Sequence, residues 1–159
     1  MSRVLLIAAV AAVGIGCVTP SHAAAMSVPV CPGHAPTLTP RGAAFRHFVR
    51  PGAGAMLLCR YYGVNWGDSQ GLRQQRLING DLTIGRITHT FNKLHEPPRG
   101  IFCARDDGSE LLVVFMYPNE RISRVAVKLT GCRFAMNGRS TRWSTPRLQH
   151  RLLNLVKRR

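Results

Sequence analysis

The sequence predicts an α+β fold: a mostly antiparallel sheet of about five strands with two helices, stapled by disulfides. Apolar residues alternate at strand period in some stretches and recur at intervals of three and four in two others. The strand-like stretches come in runs before and after a helix instead of alternating with helices one by one, which is the signature of a segregated α+β layer arrangement. Four cysteines remain once the most N-terminal one is set aside. With 159 residues and 45% hydrophobic content, the chain is long enough for one domain with a sizeable core. It is too short for a barrel enzyme of ordinary size. Aromatics at 7% and a mean hydropathy of −0.02 fit a folded chain, despite a formal charge of +15.

Residues 1–25 read as a secretory signal peptide: Arg3, an apolar run from Val4 to Val18, a break at Thr19-Pro20 and a small-residue cleavage site at Ala23-Ala24-Ala25. Ser21-His22-Ala23 offers a second cleavage site. The apolar run is about 15 residues, short of the ~20 that cross a bilayer as a helix, and no later stretch approaches that length. No transmembrane span is therefore expected in the mature chain. Cys17 raises the alternative of a lipid anchor, but Gly14 stands where lipoboxes prefer an aliphatic residue, so simple cleavage is favoured. The expected location is secreted or extracytoplasmic, associated with the cell envelope.

Residues 26–54 form a Pro- and Gly-rich leader without sustained periodicity, expected to be extended and held by Cys31. The single α+β domain is expected over 55–159. Ala55 to Tyr62 is an apolar and aromatic strand, and Leu72 to Ile78 its partner across the loop from Gly63 to Gln70. After Asn79-Gly80, Asp81 is expected to cap a helix whose inner positions are Ile84, Ile87, Phe91 and Leu94, stopped by Pro97-Pro98. Gly100 to Arg105 and the tight turn Asp106-Asp107-Gly108-Ser109 lead into Glu110 to Tyr117. There, Leu111 to Met116 are all apolar, as in a central strand buried on both faces. From Arg121 to Leu129, Val125, Val127 and Leu129 alternate with Arg124, Ala126 and Lys128, one face inward and one wet. A short segment, Arg133 to Met136, ends at the turn Asn137-Gly138. Thr145 as cap and Pro146 at the first helical position open a last helix with Leu148, Leu152 and Leu155 inward.

The charge is lopsided. All seven acids, Asp68, Asp81, Glu96, Asp106, Asp107, Glu110 and Glu120, precede residue 121. The last quarter of the chain holds only cations: Arg121, Arg124, Lys128, Arg133, Arg139, Arg142, Arg147, Arg151, Lys157, Arg158 and Arg159. Clustered like charges raise the local potential and draw in polyanions. The expected partner is an anionic envelope polymer or lipid headgroups. Part of this charge also suits the C-terminus of a helix ending in Lys157-Arg158-Arg159.

Catalytic constellations are missing. Gly67-Asp68-Ser69 resembles the nucleophile block of GDSL-type esterases, but Gln70 follows it and Arg147, not Asp, stands three residues before His150. No Gly-x-Ser-x-Gly elbow occurs elsewhere. Asp106 and Asp107 are neighbours in a turn, which suits turn chemistry better than a carboxylate pair across a cleft or a calcium loop. His34, His47, His89, His95 and His150 show no metal-binding or catalytic spacing. Cys31 and His34 have the look of a zinc half-site with no second half. The expectation is a non-enzymatic chain with no cofactor and no metal.

Cys31, Cys59, Cys103 and Cys132 suggest two disulfides in an oxidising compartment, with three possible connectivities. Several short motifs, Leu58-Cys59-Arg60-Tyr61, Phe91-Asn92-Lys93-Leu94, Cys103 with Asp106-Asp107-Gly108, Phe115-Met116-Tyr117, and Leu129-Thr130-Gly131-Cys132 with Asn137-Gly138, resemble exported actinobacterial proteins of unassigned function. The resemblance runs from Ala55 to Gly138 and implies an exported, Gram-positive setting without catalytic residues to transfer. A further similarity is to the Streptomyces-type subtilisin inhibitors, secreted α+β domains with two disulfides. That resemblance implies a Cys103 to Cys132 pair and an inhibitor loop with Arg105 facing the specificity pocket of a secreted protease. Ala104 stands where that family has Pro, and no second Cys closely follows Cys59. The strand order favours the same pairing, because Cys103 and Cys132 leave the two neighbours of the central strand at one end of the sheet. Cys31 is then left to Cys59.

Overall fold

A computed structural model describes residues 29–41, 46–64, 71–103, 105–119 and 121–158. The expected signal segment with Cys17, the Gly67-Asp68-Ser69 motif, Ala104, Glu120 and Arg159 lie outside the described residues.

The unbroken apolar run organises everything around it. Glu110–Met116 forms β3, and all seven of its residues are buried. It lies between β1 (Ala55–Tyr61) and β4 (Ile122–Lys128), antiparallel to both, in a six-stranded sheet of order β2-β1-β3-β4-β5-β6. The outer strands are β2 (Leu72–Asn79) on one side and β5 (Phe134–Met136) and β6 (Thr141–Trp143) on the other. Two helices, α1 (Asp81–Asn92) and α2 (Pro146–Lys157), complete the α+β architecture.

Strand alternation divides the core in two. Met56, Leu58, Leu111, Val113, Phe115, Val125 and Val127 point to one face and pack with Ile84, Ile87 and Phe91 of α1 and Leu148, Leu152 and Val156 of α2. Leu57, Cys59, Tyr61, Leu112, Val114 and Met116 point to the other. That second face is covered by the segment before β1: Cys31 is buried against it, and Ala35 and Leu38 pack on it. Burial of β3 on both faces thus needs the leader as well as the helices.

The disulfides are Cys31–Cys59 and Cys103–Cys132. The first ties the leader to the middle of β1. The second joins the loop before β3 to the turn after β4. Cys103 therefore comes from a loop and not from a strand flanking β3, whose neighbours are β1 and β4.

Five local expectations change. A sixth strand, β6, pairs with β5 through Phe134↔Trp143, Ala135↔Arg142 and Met136↔Thr141. Asp81 is the first residue of α1 and makes no cap; Gly80, with φ 115°, occupies the cap position without a side-chain hydrogen bond. His95 lies beyond the end of α1, its carbonyl accepting from Trp143 N at 2.8 Å. The wet face of β4 is only partly wet, since Ala126 is fully buried and Lys128 Nζ sits 2.8 Å from Glu110 Oε2. In α2, Thr145 Oγ1 accepts from Leu148 N at 3.2 Å, and Val156 takes the inward place expected of Leu155, which is half-buried.

Candidate functional site

The tail cations are divided among several surroundings. Lys128 is committed to the buried Glu110, and Arg142 Nη1 lies 2.9 Å from Glu96 Oε1. Arg124 is exposed on the sheet face opposite the helices, and Arg133 is exposed just before β5. Two clefts gather most of the others.

The first cleft, about 500 Å³, is lined by Arg46, His47, Phe48, Arg50, Arg121, Ser123, Asn137 and Arg139. Its four arginines are exposed, and among the described lining residues there is no carboxylate. They come from three separate segments, and identifiable bonds hold those segments together. Asn92 and Val49 exchange two hydrogen bonds of 2.8 Å, Val49 N to Asn92 Oδ1 and Asn92 Nδ2 to Val49 O. Tyr117 Oη donates to Arg50 O at 2.6 Å, and Asn137 Nδ2 donates to Phe48 O at 2.8 Å. Phe48 and Val49 are buried beneath, so the flanking Arg46 and Arg50 are left at the surface.

The β5–β6 turn carries Arg139 to the same place. Asn137 Oδ1 accepts from Arg139 N and Ser140 N at 2.9 and 2.8 Å, and Gly138 takes φ 76°, a left-handed value that glycine adopts without strain. Arg121 arrives from the β3–β4 turn, closed by Tyr117 N to Arg121 O at 3.0 Å. Guanidinium groups present a planar fork of donors that matches phosphate and carboxylate oxygens. Several in one concavity focus a positive potential there. Chemically, the cleft can hold an anion with several oxygens.

The second cleft, about 440 Å³, lies between the helices and is lined by Thr83 of α1 and Arg147, His150, Arg151, Asn154, Leu155 and Arg158 of α2 and its end. Arg147 and Arg151 are one helical turn apart on a helix without acids, an arrangement that costs helix stability through like-charge repulsion. Arg76 of β2 reaches the end of α2, donating from Nη1 to Leu155 O at 3.2 Å and to Arg158 O. It satisfies carbonyls that the helix terminus leaves unpaired.

Of the tail cations singled out in the sequence, Arg121 and Arg139 line the first cleft and Arg147, Arg151 and Arg158 the second, while Arg46 and Arg50 were not singled out. The leader's three arginines, Arg41, Arg46 and Arg50, are diluted when charge is averaged over the chain before residue 121, where all seven acids lie, and only docking through Asn92, Tyr117 and Asn137 reveals where Arg46 and Arg50 go. Lys157 is exposed at the end of α2.

The remaining candidates fall to other roles. Cys31, which has a zinc-like spacing with His34, is bonded to Cys59. Among the described residues no group of three or more His, Cys, Asp or Glu is close enough to hold a metal ion. Asp106 Oδ1 accepts from Gly108 N at 2.9 Å and Asp107 Oδ1 from Ser109 N at 2.8 Å, so both carboxylates serve the turn. Partial burial would raise the Asp107 carboxyl, but hydrogen bonds from Thr130 Oγ1 and Ser109 outweigh it and hold it below the ordinary range. Arg105 has φ 59°, a left-handed backbone, whereas a segment lying across a protease cleft is extended. Among the described residues, no helix is long and apolar enough to cross a membrane. Comparison of the chain with protein-family models, with curated proteins and with solved structures returned no match.

Proposed function

We propose that the chain is an exported, non-catalytic binding domain that holds an anionic component of the cell envelope, a phosphate-bearing polymer or headgroup surface, in its arginine clefts. One observation carries this reading: Arg46, Arg50, Arg121 and Arg139, drawn from three segments, line one cleft with no carboxylate among its described lining residues. Like charges repel, and a fold that draws Arg46, Arg50 and Arg121 to one concavity gains from a partner that neutralises them. Two disulfides support an oxidising, extracytoplasmic location, as does the resemblance to exported actinobacterial proteins. Protease inhibition through Cys103 and Arg105 is the weaker reading, because the Arg105 backbone is not extended.

The test is binding of inorganic polyphosphate to the mature protein against rising salt. Each phosphate contact releases condensed counterions, so four contacts predict a slope of log affinity on log salt of about −3. Replacing Arg46, Arg50, Arg121 and Arg139 together by Ser should flatten that slope and weaken binding about tenfold or more at low salt. A wild-type affinity indifferent to salt would sink the proposal.

A further inference from the structure

The arginine cleft does not end at its arginines. His47 also lines an adjoining cleft of about 590 Å³, whose other walls include Pro51, Ala53, Ile84, Gly85 and Pro118. Here the lining surface is largely apolar and holds no arginine or lysine among the described residues, the polar side chains besides His47 being Asp81, Thr88, His89 and Asn92. A strongly cationic concavity therefore adjoins an apolar one, with His47 lining both.

Gly85 makes the apolar part more telling. It sits inside α1, where glycine is disfavoured relative to other residues. Close packing does not require it, since a Cβ built there meets nothing within 4 Å. Gly54, another lining residue, is equally unobstructed. What these glycines do is leave the cleft open, and a side chain at Gly85 would fill it.

Resting on the anion-binding reading above, we infer that the two clefts form one site for an anionic phospholipid. The headgroup phosphate lies against Arg46, Arg50, Arg121 and Arg139, and an acyl chain runs past His47 over Ala53, Ile84 and Gly85. Charge complementarity chooses this occupant over a neutral apolar one, and the apolar extension chooses it over a bare phosphate.

The experiment compares binding of glycerophosphoglycerol with that of lysophosphatidylglycerol carrying an eight-carbon chain, used below its micelle concentration. Each methylene removed from water multiplies affinity about fourfold when fully buried, so even partial seating of the chain should yield about tenfold or more. Gly85→Leu should abolish that gain while leaving the affinity for glycerophosphoglycerol and polyphosphate unchanged, and Gly85→Ala should reduce it in part. Both variants replace a helical glycine with a better helix former in open space, and thermal melts confirm their folding. Equal affinity for the two probes overturns the inference, as does a chain-dependent gain that survives Gly85→Leu. If polyphosphate still binds with its steep salt dependence in that case, the anion-binding reading stands and the acyl-chain site alone is lost.

Discussion

Glu110 and Tyr61 sit opposite each other across β3 and β1, and their pairing shows what charge costs in this core. Glu110 is 3% exposed, with Oε2 held by Lys128 and Oε1 without a hydrogen-bond partner among the described residues. Tyr61 donates from Oη to Pro32 O at 3.0 Å, so the phenol must stay protonated to make that bond. Burial first, and the nearby Glu110 charge second, push its pKa from the ordinary 10 up to about 12. A group raised in this way contributes stability that is intact below its unfolded pKa and disappears as pH climbs through the folded one. Chemical denaturation at a series of pH values should show stability falling between pH 10 and about 12, with Tyr61→Phe shallower over that window. The same variant should be less stable by about 1 kcal/mol at neutral pH from the lost hydrogen bond. Burial likewise raises Tyr117, which donates to Arg50 O, so part of the alkaline slope will remain.

At the level of elements, the ends of the two helices differ in a way that mutation can expose. α2 begins with a side-chain cap from Thr145 and a proline in its first turn, whereas α1 begins after Gly80 with no side-chain cap. Thr145→Ala should therefore destabilise the protein by about 1 kcal/mol, read as a lowered denaturation midpoint with an unchanged slope. The elements that the sequence declared plainly were those whose pattern is local: the seven buried residues of β3, the spacing of Ile84, Ile87 and Phe91, and the Thr145-Pro146 start. β6 was not legible because three residues, Thr141-Arg142-Trp143, are too few to show a period, and their strand character comes from pairing with β5. The arginine cleft was half legible for a related reason. Arg121 and Arg139 stand out in an acid-free tail, while Arg46 and Arg50 join them only through hydrogen bonds to backbone carbonyls, which follow no periodic rule.

For the whole molecule, the Cys31–Cys59 link decides whether the second face of the sheet stays covered. Its two residues are 28 apart in sequence, and closing a loop of that size in the unfolded chain contributes about 3–4 kcal/mol in the chain-entropy account. Replacing both cysteines by Ser should lower stability by about that amount. It should also speed hydrogen exchange in β1 and β3 at Leu57, Leu112 and Val114, positions beneath the leader. The terminal strand β2 carries a last consequence. Arg73 and Arg76 lie on it, so a second copy approaching edge to edge about a dyad at either one would set that arginine directly against its own counterpart. Cations directly opposed across neighbouring strands repel. The sheet margin is thus guarded against templating its own aggregation, and a bound polyanion would disarm that guard as well as fill the clefts.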